Sequence, residues 1–346
     1  MIDARIRYLT TRQGFDIAFA THGQGPPLLF AGAVPFCHAE QCVSYNSQLF
    51  EPLTHEFQLG WFDFLGCGLS QRADASFELE DLADAIGAVA DALGWSDFHL
   101  LGRNGGAMAS IAFAARNPAR VRSLIAVEAW LGDSPPDTPF RRVSSGLGSI
   151  RWGEFTELLA IASLRFLERE RAPRLAAYMR ACVDQAEFLR SQTAAESYNV
   201  GTLVPEIACP TLFVDRPPSG QGEYEAKRLA ARTPGSIVRF AEDPIYATLP
   251  AIVQDFCGRG AQVHPGHAKS EIAVASPSPL SARELDVLRL IAIGRTNAAI
   301  GEELCISTFT VNRHVSHIFE KLNLANRAEA AAWAAHHGVD GLQDPD

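Results

Sequence analysis

The sequence predicts two domains: a large α/β domain with a doubly wound, mostly parallel sheet, and a small helical domain after it. Over residues 1–260, short apolar runs alternate with segments of helical periodicity, which is typical of a parallel sheet covered by helices on both faces. Residues 261–278 are rich in Gly, Pro, Ala and Ser and lack periodicity, which predicts a linker. Residues 279–340 contain only helical patterns, so we place a second domain there.

Seven short apolar runs predict the strands of the large domain. They are Phe15–Ala20, Pro27–Ala31, Phe57–Phe64, Phe98–Gly102, Val121–Val127, Pro210–Asp215 and Ser236–Ala241. Apolar residues at helical spacing predict helices at Leu79–Leu93, Gly106–Ala115 and Glu223–Arg232. From about residue 134 to 200 the alternation stops. Helical patterns without a convincing strand predict that this segment is a helical lid on the sheet.

The composition indicates a folded protein of the cytoplasm. Of 346 residues, 47% are hydrophobic and 20% charged, as in globular proteins and unlike disordered chains. The net charge of -10 excludes attraction to nucleic acid or anionic membranes by overall charge, so any such binding must be local. Seven scattered cysteines without a Cys-x-x-Cys pair predict buried, reduced thiols and no metal site. We expect neither a signal peptide nor a membrane span.

The C-terminal block has the apolar spacing of a helix-turn-helix. Ser307 is a suitable N-cap for a long helix with one apolar stripe, formed by Val311, Val315, Ile318 and Leu322. At about 100° per residue, the opposite side is mostly polar. That side carries Phe309, Asn312, Arg313, Ser316, His317 and Glu320. A short helix at Asn297–Leu304 and a tight turn precede it, so the long helix is expected to enter the major groove of double-stranded DNA.

The whole block, LSARELDVLRLIAIGRTNAAIGEELCISTFTVNRHVSHIFEKLNLANRAEA, resembles the LuxR-type helix-turn-helix family. The matching positions are Leu280, Ser281, Arg283, Glu284, Val287, Leu288, Gly294, Asn297, Ile300, Leu304, Ile306, Ser307, Thr310, Val311, His314, Ile318, Lys321, Leu322, Arg327, Glu329 and Ala330. The resemblance implies four helices and a long helix that reads an operator. Base edges would be contacted by Asn312, Arg313 and Ser316. Phosphates would be contacted by Thr308, Thr310, His317 and Lys321.

Two positions depart from that family's pattern. Ala299 replaces an acidic residue, and Asn312 stands where a basic residue is frequent. With the acidic net charge, these departures predict weak non-specific binding and a need for dimerisation. The Ala-rich segment Ala328–Ala335 is the fourth helix, which commonly forms the dimer contact in the family, so the resemblance implies a homodimer.

The order of elements over residues 5–258 and four motifs resemble the α/β-hydrolase fold. FAGAV at 30–34 stands where the family has its oxyanion loop, and FDFLGCGLS at 62–70 matches D-x-R-G-x-G-x-S except for Leu65. LLGRNGGAMAS at 100–110 matches the strand, turn and helix of the nucleophile elbow, and CPTLFVD at 209–215 matches the strand before the catalytic acid. The resemblance implies a Ser-His-Asp type of site at the carboxyl ends of the strands.

The residue types of a catalytic triad are missing at all three matching positions. The elbow carries Asn104, whose carboxamide is neither an oxygen nucleophile nor a base. The family spacing puts the acid position at Ser219 and the histidine position at Asp243. We therefore predict no catalytic residues and a pseudoenzyme that keeps its pocket for binding. His38, which follows the oxyanion loop, is either an ordinary loop histidine or a group that reaches the pocket.

The retained pocket is expected at the carboxyl ends of the strands, beneath the lid. Its candidate ligand-binding residues are Val34, Phe36, Asn104, Gly105, Trp130 and Tyr246. Asn104 can donate and accept hydrogen bonds, and the Gly105 amide can donate one. The predicted ligand is therefore small and mostly apolar, with a carbonyl, carboxylate or hydroxyl, and no cofactor is required. Phe36 and Trp130 fit a core position equally well.

Together these features predict a transcriptional regulator whose pseudo-hydrolase domain binds a small metabolite and controls operator binding by a dimer. Two alternatives remain open. In the first, the domain hydrolyses its own signal with an unconventional nucleophile, such as Cys67 or a water held by Asp243. In the second, the domain is a protein-interaction platform that responds to no metabolite.

Overall fold

The computed structural model describes residues 2, 4–73, 75–132, 151–164, 169–216, 221–241, 244–259, 282–292, 294–304, 307–322, 324 and 327–336. The chain divides into two compact units, and each is described by itself. The predicted linker at 261–278 lies outside the described residues, so its extent stays a prediction.

In the described part of the larger unit, eight strands form one sheet. They are β1 Arg7–Thr10, β2 Asp16–His22, β3 Pro27–Ala31, β4 Gln58–Phe62, β5 Phe98–Arg103, β6 Val121–Val127, β7 Thr211–Asp215 and β8 Ile237–Phe240. Their order across the sheet is β1-β2-β4-β3-β5-β6-β7-β8. β2 is antiparallel to both of its neighbours, and every other pairing is parallel. The predicted mostly parallel, doubly wound sheet is confirmed.

The central strands are easy to recognise because both of their faces are buried. Leu28 and Leu29 in β3 and Leu100 and Leu101 in β5 are fully buried, so these strands appear in the sequence as continuous apolar runs. β1 was not predicted from the sequence. It lies at the edge of the sheet and its residues are mostly exposed, so it has no apolar run to reveal it.

Helices cover the sheet. Those of the larger unit are α1 Gln41–Tyr45, α2 Ser47–Glu56, α3 Leu79–Ala92, α4 Gly105–Arg116, α5 Trp152–Ser163, α6 Ala172–Cys182, α7 Gln185–Ala195, α8 Gln221–Arg232 and α9 Ile245–Arg259. The predicted helices are present as α3, α4 and α8, whereas α1 and α2 were missed. Within the predicted lid, the structure describes α5 to α7, and residues 134–150 and 165–168 lie outside the described set.

The smaller unit contains four described helices. They are α10 Ala282–Ala292, α11 Asn297–Glu303, α12 Thr308–Leu322 and α13 Arg327–His336. Their core is formed by Val287, Leu288, Leu290, Ile291, Ile300, Val311, Ile318, Ala330 and Ala334. The predicted four-helix arrangement is confirmed. Within the described ranges of either unit, no helix is both long and apolar enough to cross a membrane.

Candidate ligand pocket and nucleic-acid interface

Asn104 lies at a sharp turn between β5 and α4. Its φ of 49° and ψ of -122° place it among the few non-glycine residues with positive φ, a backbone conformation that costs about 1–3 kcal/mol. Hydrogen bonds hold the turn: the Asn104 amide donates to the Val127 carbonyl at 2.9 Å, and its carbonyl accepts from the Ala107 amide at 2.9 Å. The strained strand-turn-helix geometry of a nucleophile elbow is therefore present, with a carboxamide in the nucleophile position.

The glycines on either side of Asn104 are required by close packing. A Cβ at Gly106 would lie 2.1 Å from the carbonyl oxygen of Gly32. A Cβ at Gly102 would lie 2.4 Å from the Oγ of Ser110. Both distances are far below van der Waals contact, so the turn closes only with small residues at these positions. The sequence pattern of the elbow thus reflects backbone packing that is independent of the residue at its tip.

A buried ion-pair cluster occupies the carboxyl ends of β5, β6 and β7. Glu128, just after β6, accepts a hydrogen bond from Arg103 Nε at 3.0 Å and is also paired with Arg216, just after β7. Arg103 donates to the hydroxyl of Tyr246 at the start of α9, and its guanidinium lies 4.7 Å from the centre of that ring. Burial raises the pKa of Glu128, but the charges and hydrogen bonds of Arg216 and Arg103 outweigh it and lower the pKa to about 2.

This ion-pair cluster places Arg103 and Tyr246 beside the elbow. Val34 also lies at the elbow, because a Cβ added to Gly105 would be 3.0 Å from its Cβ. Ser219 and Asp243 lie outside the described residues, so the acid and histidine positions stay predictions. The cluster itself was not predicted from the sequence, because its members come from separate elements that only the sheet brings together.

Two of the three aromatic residues predicted for the pocket, Phe36 and Trp130, contact aromatic residues of the lid segment. Phe36 stacks on Phe188 of α7 with ring centres 5.7 Å apart. Trp130 stacks on Tyr198 at 6.3 Å, with the two rings nearly parallel. The ring centre of Phe188 also lies 5.5 Å from that of Trp152 in α5. Both Phe36 and Trp130 are thus packed residues that also face the lid.

Two buried indole groups have no hydrogen-bond acceptor. The Nε1 atoms of Trp130 and Trp152 are inaccessible to water and unpaired among the described residues. Leaving a buried donor unsatisfied costs about 1–3 kcal/mol, so such groups in a native structure require an explanation. Trp152 was not among the predicted pocket residues, because its segment shows only an ordinary helical pattern.

His38, which follows the oxyanion loop, and Cys67, the candidate unconventional nucleophile, are both buried. His38 is 6% exposed and its Nδ1 accepts a hydrogen bond from the Gln41 amide at 3.3 Å. Burial lowers the pKa of this imidazole. Cys67 is fully buried, and burial raises the pKa of its thiol well above the ordinary value. A thiol that stays protonated is a poor nucleophile.

The FDFLGCGLS segment forms a buried turn around Asp63. Asp63 is fully buried, and its Oδ2 accepts from the Leu69 amide at 2.8 Å, while Oδ1 has no partner among the described residues. The hydroxyl of Ser70 donates to the Asp63 carbonyl at 2.7 Å and accepts from the Ala18 amide at 2.9 Å. Burial raises the pKa of Asp63 to about 7. In the described part of the chain, no cluster of His, Cys, Asp or Glu could hold a metal ion.

In the smaller unit, α12 has the predicted cap and apolar stripe. The Oγ of Ser307 accepts from the Thr310 amide at 3.1 Å, as an N-cap does. Val311 and Ile318 are fully buried, and Val315 and Leu322 pack against the same core. Among the predicted DNA-contacting residues, the exposed ones are Thr308, Asn312, Arg313, Ser316 and Lys321, and the partly buried ones are Thr310 and His317.

Several of these predicted contacts already have side-chain partners within the domain, among them Thr310, whose hydroxyl lies 2.8 Å from that of Ser307. Lys321 Nζ lies 2.8 and 3.0 Å from the carboxylate oxygens of Glu284, a residue of α10 that is 3% exposed. Asn312 Oδ1 accepts from Asn297 Nδ2 at 2.7 Å. The roles of Lys321 at phosphates and of Asn312 at bases remain predictions. The spacing within α12 could not reveal either partner.

The sheet order and the strained elbow define an α/β-hydrolase-fold domain, and helices α11 and α12 define a helix-turn-helix domain. Sequence-family comparison agrees: residues 26–148 match the alpha/beta hydrolase fold family, and residues 278–334 match the bacterial regulatory proteins of the luxR family. The chain therefore combines an α/β-hydrolase-fold domain with a C-terminal LuxR-type DNA-binding domain.

Individual relatives resemble one domain each. The transcriptional regulatory protein LiaR of Bacillus subtilis is 49% identical over 55 residues, which are 16% of this chain and 26% of LiaR. The chain thus spans about a quarter of that relative. A hydrolase from Pseudomonas aeruginosa PA01 superposes with a TM-score of 0.62 at 18% identity, covering 73% of this chain and 98% of the hydrolase. The enol-lactonase from Burkholderia xenovorans LB400 has a TM-score of 0.59 at 16% identity, covering 73% and 100%. At such identities the likeness establishes the fold.

Proposed function

We propose that the protein is a ligand-responsive transcriptional regulator of the cytoplasm. A catalytically inactive α/β-hydrolase domain binds a small metabolite, and the LuxR-type domain binds double-stranded operator DNA as a homodimer. Ligand binding favours one arrangement of lid and linker and so changes how the two recognition helices of the dimer are spaced.

The elbow is the observation that carries this proposal. Asn104 is held in the strained nucleophile position although a carboxamide cannot act as the nucleophile. Next to it, Glu128 forms ion pairs with both Arg103 and Arg216. A strained turn that lacks the reactive group is expected where the turn shapes a binding pocket. Because the same chain carries a LuxR-type domain, a ligand in such a pocket could regulate DNA binding.

The unpaired indole groups support a ligand that accepts hydrogen bonds. Trp130 lies just beyond the carboxyl end of β6, and Trp152 begins the first described helix of the lid. A carbonyl, carboxylate or ester oxygen would satisfy either buried N–H group, and the aromatic rings of Phe36 and Phe188 would contact an apolar body. We therefore propose a mostly apolar acid, ester or lactone. Because the fold is similar to that of an enol-lactonase, lactones are the first compounds to test as ligands.

Hydrolysis of the signal is the alternative. Cys67 is disfavoured as the nucleophile because its thiol is buried and its pKa is raised. Asp243, the candidate to hold a water, lies outside the described residues. The alternative therefore lacks a structural observation that favours it.

A ligand screen of the full-length protein tests the proposal. The protein is incubated with aromatic, fatty and terpenoid acids, esters and lactones, and native mass spectrometry and thermal shift record bound mass and stabilisation. We expect a compound that stays bound unchanged, raises the melting temperature and alters DNA affinity. Release of a product would instead establish an enzyme. A screen without any binder, together with a co-purifying protein, would favour the interaction platform.

One variant pair locates the site once a ligand is found. Trp130→Phe keeps the ring but removes the N–H group, so we expect about tenfold weaker ligand binding, equivalent to roughly 1.4 kcal/mol. Trp95→Phe is the control, because Trp95 precedes β5 at the amino ends of the parallel strands, whereas Trp130 follows β6 at their carboxyl ends. Equal effects of the two variants would place the ligand elsewhere.

A further inference from the structure

Three helices of the smaller unit are joined by a chain of side-chain hydrogen bonds. Arg327, the first residue of α13, donates from Nη1 to Asn297 Oδ1 at 2.8 Å. Asn297, the first residue of α11, donates from Nδ2 to Asn312 Oδ1 at 2.7 Å. Arg327 also donates to the carbonyl of Arg295, which anchors the guanidinium to the backbone. Asn312 lies on the exposed face of α12.

The cation at one end fixes the direction of both amides. A guanidinium has only donors, so the atom of Asn297 that faces it must be the carbonyl oxygen. The NH2 group of Asn297 then faces Asn312 and requires an acceptor, which must be Oδ1 of Asn312. The NH2 group of Asn312 is therefore available to donate to another partner. Asn297 and Arg327 are both partly buried, which reduces competition from water.

We infer that Arg327 and Asn297 are positioning residues that make Asn312 a hydrogen-bond donor towards the operator. This inference rests on the proposed base contact of Asn312. A donor selects base atoms that accept, namely N7 and O6 of guanine, N7 of adenine or O4 of thymine, and rejects the N4 amino group of cytosine. Bidentate recognition of adenine also needs the amide oxygen to point at the base, and here Asn297 donates to one of the two lone pairs of that oxygen and orients it towards α11.

The Asn297→Asp variant tests the direction of the chain. One carboxylate oxygen of Asp can keep Arg327, and the other, which has no hydrogen, requires a donor from Asn312. Asn312 must then turn its amide over and present Oδ1 to the base. We expect cytosine, which the wild-type donor rejects at one operator position, to become a preferred base there, with a change in discrimination of about tenfold or more.

Selection from a randomised DNA library by the full-length protein, followed by sequencing of the bound pool, measures this preference. Asn297→Ala is the matched variant: it releases Asn312, so the same position should lose its preference without acquiring a new one. Melting temperatures show whether each variant folds. Asn312→Ala distinguishes failure of the base contact from failure of the positioning role. An unchanged base preference in that variant means that Asn312 contacts no base.

An unchanged base preference in folded Asn297→Asp, with Asn312→Ala relaxed at one position, would overturn the positioning role and leave the hydrogen bonds as a connection between helices. A wild-type pool without any enriched base would overturn it as well. A switched preference in Asn297→Asp and a relaxed one in Asn297→Ala would establish it, because loss of a structural connection cannot exchange one preferred base for another.

Discussion

The elbow of the larger unit and the exposed face of α12 differ in the burial and pairing of their polar side chains. At the elbow, the largely buried Glu128 forms ion pairs with Arg103 and Arg216, which are largely buried as well. On α12, Asn312 and Arg313 are exposed, and a buried apolar stripe carries the helix. The buried charges of the cluster satisfy one another, whereas the exposed side chains of α12 present groups that can also bind another molecule. The comparison indicates that the ion-pair cluster maintains the shape of the elbow, and that the exposed face of α12 is available to another molecule.

Removal of the negative charge from the ion-pair cluster should have the largest effect. Glu128→Gln leaves Arg103 and Arg216 without their counter-charge, and we expect the free energy of unfolding to fall by about 4 kcal/mol. Chemical denaturation of the full-length protein measures it. Glu80→Gln is the control, since Glu80 forms an exposed ion pair with Arg116, and such pairs contribute at most about 1 kcal/mol. Similar losses in both variants would show that the cluster behaves like a surface pair.

Asp63 should make the stability of the larger unit depend on pH. Its pKa of about 7 in the folded protein lies above the ordinary value of about 4, so folding favours the protonated form. The stabilisation is complete below pH 4 and is lost as the pH rises through 7. Relative to wild type, Asp63→Asn should therefore gain about 3 kcal/mol between pH 5 and 8.

Denaturation curves of both proteins across this pH range provide the measurement. Asp84→Asn changes an exposed carboxylate on α3 and should run parallel to wild type. A constant difference between Asp63→Asn and wild type would mean that Asp63 is ionised in the folded protein throughout the range.

The glycine pattern of the elbow gives a third expectation. Gly106→Ala places a methyl group against the Gly32 carbonyl, a backbone atom that cannot move independently, and should destabilise the protein by about 3 kcal/mol. Gly153→Ala, in α5, meets no atom within 4 Å and should be neutral or stabilising by about 0.5–1 kcal/mol. If the two variants have the same melting temperature, the close packing of the elbow does not determine which residues are tolerated there.

Local sequence predicts those parts of the fold that bury a regular pattern. β5 was predicted because its residues are apolar in succession, and α12 because Ser307 and the apolar stripe define its start and its inner face. β1 and the helices α1 and α2 were not predicted. β1 is an exposed edge strand, and α2 contains an internal proline, Pro52, which weakens its helical signal.

The candidate site shows the same division. Asn104 was predicted because the glycines around it follow from the turn itself. The pairing of Glu128 with Arg216 was not predicted, because it depends on β6 and β7 being neighbours in the sheet. Likewise, spacing along α12 indicates that Asn312 is exposed, but only the packed helices show that Asn297 holds its oxygen. Local spacing identifies which residues are available, and tertiary packing decides their partners.

Arg313 tests the recognition side of the comparison with the smallest expected effect. Its side chain is exposed on α12, and Arg313→Ala should weaken operator binding by about 2 kcal/mol and relax the preference at one base position, as for a guanine contact. Fluorescence anisotropy on the selected operator and on a scrambled duplex at one salt concentration measures it. Arg289→Ala, an exposed arginine on α10, is the control. An equal loss on both duplexes would identify Arg313 as a phosphate contact, and base recognition would then depend on the neighbouring Asn312 and Ser316.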